Sequence, residues 1–230
     1  MIRASLWPIV LCILLVSLTR ADNSDYSALQ LAQIAKEFGE TAGDRVRQWR
    51  AMIATGQNLK ESEKLEQVNR FFNQVKFESD SRHWGKADYW ATPLETLTTD
   101  GGDCEDISIG KYFALREMGV ADERMRLTYV KAIDLNQAHM VLTYFKTPGA
   151  DPLVLDNLLP AIKPASQRPD LLPVYSFNGD GLWLARERAA GKRVGNASRV
   201  GLWRELLRRM RKRSTTNNES ATTPDNRQEK

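Results

Sequence analysis

The chain has 230 residues, of which 42% are hydrophobic and 27% are charged, so it is long enough for one folded domain with a substantial core. The net charge of +4 is unevenly distributed, because eleven of the 33 basic residues lie between positions 186 and 213 beside two of the 29 acidic ones. The rest of the chain is net negative. The basic excess therefore describes a C-terminal segment, and nothing beyond charge indicates a nucleic-acid-binding module.

Residues 1–21 have the pattern of a secretory signal peptide. Arg3 precedes an apolar run over residues 6–18, and residues 19–21 offer a cleavage site. The run is too short and wrongly flanked to predict a membrane span, and an uncleaved anchor is the alternative. Cys12 lies in this segment and would be removed with it. We therefore expect an exported protein with a single cysteine, Cys104.

Helical hydrophobic spacing precedes strand-like spacing along the chain. The predicted helices cover residues 24–57 in two pieces separated at Gly39 and Gly43, 60–77, and 104–118 with Gly119 as its stop. An aromatic, loop-rich stretch fills residues 78–103. The predicted strands cover residues 126–133, 139–146, 152–157, 173–177 and 181–185, the last two as a hairpin. Helices followed by strands predict an α+β fold with a mostly antiparallel sheet.

The composition shifts after residue 185, so we divide the chain into residues 1–21, 22–185 and 186–230. The last part begins with a predicted Arg-rich helix over residues 198–213 and ends in a polar stretch, 214–230, that is typical of disorder. Its narrow apolar stripe consists of Val200, Trp203, Leu207 and Met210. We expect the stripe to pack and the charges to stay solvated. Contact with anionic lipid or an acidic partner is the alternative.

Cys104 opens a predicted helix in the sequence GGDCEDISIGKYFALREMGV (101–120). An unpaired cysteine in an oxidising compartment is either a buried apolar residue or a reactive thiol. A cysteine nucleophile needs a base and a group that orients the base. Of the two histidines, His83 lies among charged and aromatic residues and is given a surface or structural role. His139 begins one strand and Asp156 ends another, so we predict a Cys104, His139 and Asp156 triad.

Three carboxylates surround the predicted nucleophile. Asp103 is suited to cap the helix, and Glu105 and Asp106 follow in its first turn, so ordinary capping is one explanation. Negative charge beside a thiol nevertheless opposes thiolate formation. A bound cation would remove that penalty, and clustered carboxylate oxygens favour a hard ion such as Ca²⁺. The loop of residues 121–124 is a candidate source of further ligands.

Four segments together resemble the LapG family of bacterial transglutaminase-like cysteine proteases: HWGKADYWATPLE, GGDCEDISIGKYFALREMGV, NQAHMVL and LVLDNL. The resemblance covers about residues 60–185. It implies a transglutaminase-like, papain-like fold and a cysteine protease domain over residues 22–185. It also implies the catalytic set Cys104, His139 and Asp156.

The resemblance further implies calcium dependence, with Asp103, Glu105 and Asp106 as ligands. It implies a periplasmic enzyme that cleaves the N-terminal region of a large surface adhesin at an Ala-Ala site and so promotes biofilm release. The periplasmic domain of an inner-membrane cyclic-di-GMP receptor is the expected inhibitor. Trp90 is expected to wall the site.

Two other functions use the same residues. A protein transglutaminase would transfer the acyl group from the same triad to an amine, and the sequence alone does not separate this activity from hydrolysis. A non-catalytic calcium-binding partner module would use the acidic cluster and leave the triad idle.

Overall fold

Helices come first, a sheet follows and one more helix ends the described chain, in a computed structural model that describes residues 28–186 and 189–222. The predicted signal peptide and Cys12 lie outside the described residues. The helices are α1 (Ala28–Phe38), α2 (Glu40–Gly56), α3 (Glu61–Phe72), α4 (Asp80–His83), α5 (Pro93–Thr99), α6 (Cys104–Glu117) and α7 (Gly201–Thr222). In this described part of the chain, no helix is both long and apolar enough to cross a bilayer.

The strands build one two-stranded and one seven-stranded sheet within the described residues. They are β1 (Lys76–Phe77), β2 (Gly101–Gly102), β3 (Met125–Ala132), β4 (Gln137–Tyr144), β5 (Leu153–Leu155), β6 (Lys163–Pro164), β7 (Leu171–Phe177), β8 (Gly181–Arg186) and β9 (Ala189–Asn196). The larger sheet has the order β6-β5-β4-β3-β7-β8-β9, and every neighbouring pair in it is antiparallel. The predicted α+β class, the antiparallel sheet and the late hairpin are confirmed.

Glycines shape the helical half in two different ways. Gly39 separates α1 from α2 with a φ of 92°, which is costly for residues with a Cβ. Gly43, which was also predicted to break the helix, lies inside α2 instead. A Cβ at Gly43 would lie 2.8 Å from that of Ala35, so this glycine allows α1 and α2 to approach closely.

Helix α6 runs through the centre of the molecule. Its apolar residues are buried almost throughout, and Gly110 lies against the ring of Phe72, where an added Cβ would come within 2.2 Å. The helix ends as predicted at Gly119, whose φ is 86° and whose N–H donates to the carbonyl of Arg116. Ser108 Oγ donates to the carbonyl of Met140 at 3.0 Å, which ties α6 to β4.

The predicted loop 78–103 contains a helix that the sequence analysis missed. Thr92 Oγ1 accepts a hydrogen bond from the N–H of Glu95, the Glu95 carboxylate accepts from the N–H of Thr92, and Pro93 occupies the first turn of α5. This capping box is a sequence-level start signal for a helix. It was missed because the aromatic residues before it led us to interpret the whole stretch as a loop.

The domain boundary after residue 185 is wrong, because residues 189–213 complete the same fold. Strand β9 pairs with β8 along most of its length. Trp203 of α7 is fully buried, and its ring lies 5.6 Å from those of Tyr112 and Phe113 and 5.4 Å from that of Phe177. The predicted disorder of residues 214–222 is also corrected, since α7 continues to Thr222. A packed first half supplies the nucleus from which a polar segment can continue as helix.

The expectation that the apolar stripe of α7 packs is confirmed, and the charges of residues 201–213 are exposed as expected except for Arg209, which is partly buried and donates to the carbonyl of Trp90. Leu206 is buried with Trp203, and Leu207 and Met210 are partly buried against the same core. Arg204 and Arg208 are exposed.

Trp203→Ala is expected to lower the free energy of unfolding by about 3–5 kcal/mol, because it leaves a cavity among three aromatic rings. Urea unfolding measures the change. Arg208→Ala, on the exposed face of the same helix, is the matched control and should change stability by no more than about 0.5 kcal/mol. If Trp203→Ala is as stable as the wild type, α7 does not contribute to the core and lies outside the folded domain.

Candidate active site

Two glycines place Cys104 at the start of α6. Gly101 and Gly102 form β2, which pairs in parallel with β1. A Cβ at Gly101 would lie 2.3 Å from the ring of His83, and one at Gly102 would lie 2.7 Å from Oδ2 of Asp106. Only glycine therefore fits this approach to the helix.

Asp103 caps α6 as predicted, and its carboxylate accepts the N–H of Glu105 at 3.2 Å. The cap leaves Cys104 as the first helical residue, where backbone N–H groups lack intrahelical partners. Such a position favours negative charge on the sulfur.

The thiol of Cys104 is nevertheless held in its protonated form. Cys104 is 8% exposed, and Sγ–H donates to Oε2 of Glu105 at 2.7 Å. Burial raises the pKa of the thiol, as do the charges of Glu105 and Asp103, whereas the N–H of Met140 directed at the sulfur lowers that pKa. The acids beside Cys104 therefore compete with a base for its proton.

His139 and Asp156 form a buried pair beside this helix start. His139 Nε2 lies 2.8 Å from Oδ1 of Asp156, and the imidazole is 4% exposed while Asp156 is fully buried. The pairing uses Nε2, so Nδ1 is the nitrogen that can exchange a proton with a thiol. Because Met140 follows His139 on β4 and its N–H reaches the sulfur, the structure brings all three predicted residues to the contact of α6 with β4.

Asp156 is kept ionised despite its burial. Burial opposes ionisation, but hydrogen bonds from His139, the Leu158 N–H and Arg168 lower the pKa of Asp156 to about 2. The sequence analysis missed Arg168, whose Nη2 donates to Oδ2 of Asp156 at 2.8 Å. It also missed Lys111, which is fully buried; burial lowers its pKa to about 7, and the charge of Asp156 opposes that shift.

An acidic cluster surrounds the start of α6. Carboxylate oxygens of Asp80, Asp103 and Asp106 lie within 4.8 Å of one another, and a second group of the same size contains Asp103, Cys104 and Glu105. Asp80 was not predicted. Its Oδ2 accepts the N–H of Tyr89 at 2.6 Å, whereas its buried Oδ1 has no hydrogen-bond partner among the described residues.

These acids fit a hard cation. Burial, together with the repulsion of neighbouring carboxylates such as Glu105, raises the pKa of Asp103 to about 9 and that of Asp106 to about 7. A divalent cation would offset this repulsion and supply a partner for the unpaired oxygen of Asp80. Oxygen donors without imidazole are the set that Ca²⁺ prefers.

His83 and Trp90, which were also discussed in the sequence analysis, have structural roles. Both ring nitrogens of His83 are hydrogen-bonded, to Glu78 at 3.0 Å and to Thr99 at 2.8 Å, which is a structural role. Trp90 is buried and stacked on Phe177 at 5.5 Å, so it belongs to the core.

The loop 121–124 is not a source of ligands. It follows the C-terminal end of α6, which has 14 residues. At 1.5 Å per residue, about 20 Å separates that end from Cys104. Asp122 instead accepts the hydroxyl of Tyr112.

A thiol at a helix start, packed against an antiparallel sheet that carries a His–Asp pair, defines a papain-like or transglutaminase-like thiol enzyme. The comparisons with known proteins agree with that class. Residues 36–175 match the family model described as bacterial transglutaminase-like cysteine proteinase, BTLCP. The chain belongs to this family and is a cysteine protease.

Three solved structures of Legionella pneumophila LapG are similar to the chain. One is 41% identical over 78% of this chain and 97% of LapG, with a TM-score of 0.68. The EGTA-treated form is 42% identical with a TM-score of 0.69, and the calcium-bound form is 41% identical with a TM-score of 0.67 and 98% coverage of LapG. No curated protein matches the chain in sequence.

Proposed function

We propose that this chain is a calcium-dependent periplasmic endopeptidase in which Cys104 is the nucleophile, His139 the base and Asp156 the group that orients the base. The observation that carries the proposal is the buried His139–Asp156 pair, because His139 lies on β4 directly before Met140, whose N–H reaches the sulfur of Cys104. Family membership and 41–42% identity to LapG support the same chemistry.

The residues divide the reaction into two steps. Sγ of Cys104 attacks the peptide carbonyl carbon while its proton passes to Nδ1 of His139, and the amine product leaves with that proton. Water then attacks the thioester, with His139 again as base, and releases the acid product. Asp156 stabilises the imidazolium, and the N–H of Cys104 at the helix start is a donor for the oxyanion.

Asp103, Glu105 and Asp106, joined by Asp80, would hold Ca²⁺ at the helix start. When bound, the ion would supply positive charge that offsets these carboxylates. Glu105, which otherwise accepts the proton of the Cys104 thiol, would then serve as a ligand. The unpaired oxygen of Asp80 and the raised pKa values of Asp103 and Asp106 support this ligand set. Similar LapG structures, one calcium-bound and one EGTA-treated, support the choice of ion.

The proposed substrate is the N-terminal region of a large surface adhesin, cut at an Ala-Ala site so that the adhesin and the biofilm are released. The proposed inhibitor is the periplasmic domain of an inner-membrane cyclic-di-GMP receptor. The resemblance to the LapG family supports both, and the pattern of residues 1–21 supports the periplasm. Exposed arginines on α7, such as Arg204 and Arg208, would add weak contact with an anionic membrane surface.

The test is incubation of the purified chain and Ca²⁺ with an adhesin N-terminal fragment, with and without a small primary amine. A peptidase yields two fragments with free termini in both reactions. Mass spectrometry that finds the amine joined to an intact fragment would instead favour a transglutaminase. Calcium binding without any change in the fragment would favour a non-catalytic module.

A further inference from the structure

Arg168 lies behind the His139–Asp156 pair and is almost completely buried, with 3% exposure. Its Nη2 donates to Oδ2 of Asp156 at 2.8 Å and to Oδ2 of Asp170 at 2.7 Å. Its Nε donates to Oδ1 of Asp170 at 2.9 Å. His139, Asp156 and Arg168 are therefore buried side by side, and the guanidinium joins the buried carboxylate of Asp156 to the partly exposed carboxylate of Asp170.

The backbone fixes Arg168 at this place. The Arg168 N–H donates to the carbonyl of Ala165 at 3.0 Å, and its own carbonyl accepts the N–H of Leu171, the first residue of β7. The carbonyl of Asp170 accepts the N–H of Ile133 at 2.8 Å. The turn before β7 is thus held to the sheet on both sides of the guanidinium.

Both oxygens of Asp156 are occupied, and by different partners. Oδ1 accepts from His139 and from the N–H of Leu158 at 3.0 Å, whereas Oδ2 accepts from Arg168. A carboxylate held at both oxygens cannot turn about its Cβ–Cγ bond without losing a charged hydrogen bond. The direction of Oδ1, and with it the plane of the imidazole, therefore depends on Arg168.

We propose that Arg168, held by Asp170, is a positioning residue that acts through Asp156 to keep the imidazole of His139 directed at Cys104. This proposal rests on the proposed peptidase function. A misplacement of about 1 Å in a catalytic group can cost about 10²-fold in rate, so a group that fixes such a position has a measurable effect.

The alternative is an ion pair that only stabilises the fold. Buried ion pairs contribute little net stability compared with apolar replacements, so burial alone does not decide between the two. The charged groups that face Asp156 are His139 from β4, Arg168 from the turn before β7 and Lys111 from α6. Lys111 Nζ has no hydrogen-bond partner among the described residues, so it does not orient the carboxylate.

The experiment compares Arg168→Met, Arg168→Lys and the wild type, all saturated with Ca²⁺, for fragment cleavage and for unfolding temperature. Arg168→Met should lower kcat by about 10²-fold with KM unchanged, because substrate contacts are not altered. Arg193→Met, which breaks an exposed pair with Asp180, is the matched control and should retain wild-type kinetics.

The pH profile separates the two roles. Arg168 is one of the groups that lower the pKa of Asp156, so its removal raises that pKa and moves the acid limb of kcat/KM to higher pH. Arg168→Lys keeps a cation, so its acid limb should stay near that of the wild type while kcat is only partly restored. A purely structural role predicts a lower unfolding temperature with an unchanged kcat and acid limb, and that result would overturn the proposal.

The rate of Cys104 alkylation by iodoacetamide provides a readout that needs no substrate. We expect fast alkylation in the wild type and slower alkylation in Arg168→Met. If Cys104 of the wild type is alkylated no faster than an unactivated thiol, the proposed function and this inference are both contradicted. Fast alkylation that is unchanged in both variants would overturn the role of Arg168 alone. If Arg168→Met does not fold, Arg168→Lys decides by the same measurements.

Discussion

Cys104→Ala is expected to abolish peptide cleavage while the fold persists. Loss of a triad nucleophile typically costs about 10⁴-fold or more in rate. The substitution removes one buried sulfur atom at the first position of α6, where the Asp103 cap and the core contacts are retained. Cleavage of the adhesin fragment and circular dichroism measure the two parts of the prediction.

Thr55→Ala is a suitable control for Cys104→Ala, because the Thr55 hydroxyl donates to the carbonyls of Ala51 and Met52 within its own helix α2. It should cleave at the wild-type rate. If folded Cys104→Ala cleaves the fragment at a rate similar to the wild type, Cys104 is not the nucleophile.

Removal of calcium is expected to stop cleavage, and Asp103→Ala or Glu105→Ala should do the same. Without the ion, Glu105 accepts the proton of the thiol, and buried carboxylates raise the pKa of the sulfur. Thiolate formation is then opposed by the same acids that would otherwise hold the ion. Titration calorimetry on the metal-stripped chain measures binding, and cleavage in a chelator measures the effect on activity.

Glu123→Ala is the matched control for the acidic variants. Glu123 is an exposed carboxylate in the loop after α6 and far from Cys104, so the variant should bind calcium and cleave as the wild type does. Excess calcium should restore the chelated wild type. Full activity in chelator, with no heat of calcium binding, would leave only the capping role for Asp103 and Glu105.

The start of α6 was predictable because its determinants are local. Two glycines, a capping aspartate and acids in the first turn specify a helix start within a few residues of Cys104. The strands that carry His139 and Asp156 were predictable from their hydrophobic runs. Once those strands were neighbours in an antiparallel sheet, the pairing of the imidazole with the carboxylate followed.

Arg168 and Asp80 were not predictable, because their roles depend on contacts with residues distant in sequence. Arg168 reaches Asp156 only after the chain has turned back toward β7. Asp80 meets Asp106 only because α4 lies beside the start of α6. Neither residue has a neighbouring motif that would indicate its partner.

The domain boundary that was wrongly predicted after residue 185 has a different cause. The basic composition of residues 186–213 indicated a segment outside the domain. Burial of one tryptophan, however, contributes more free energy to the packing of a helix than exposed arginines do. Trp203 was part of the predicted stripe, yet the core that receives it includes Tyr112 and Phe177 from earlier elements. Strand β9 escaped notice because its sequence is polar and rich in glycine.

Titration of the chain with iodoacetamide tests the central claim most directly. The protein is alkylated to several extents in the presence of Ca²⁺, the modified fraction is determined at the Cys104 peptide by mass spectrometry, and cleavage of the adhesin fragment is measured on each sample. The account predicts that activity falls in direct proportion to the fraction of Cys104 that is alkylated and reaches zero when alkylation is complete. Fully alkylated, folded protein that still cleaves the fragment would contradict it.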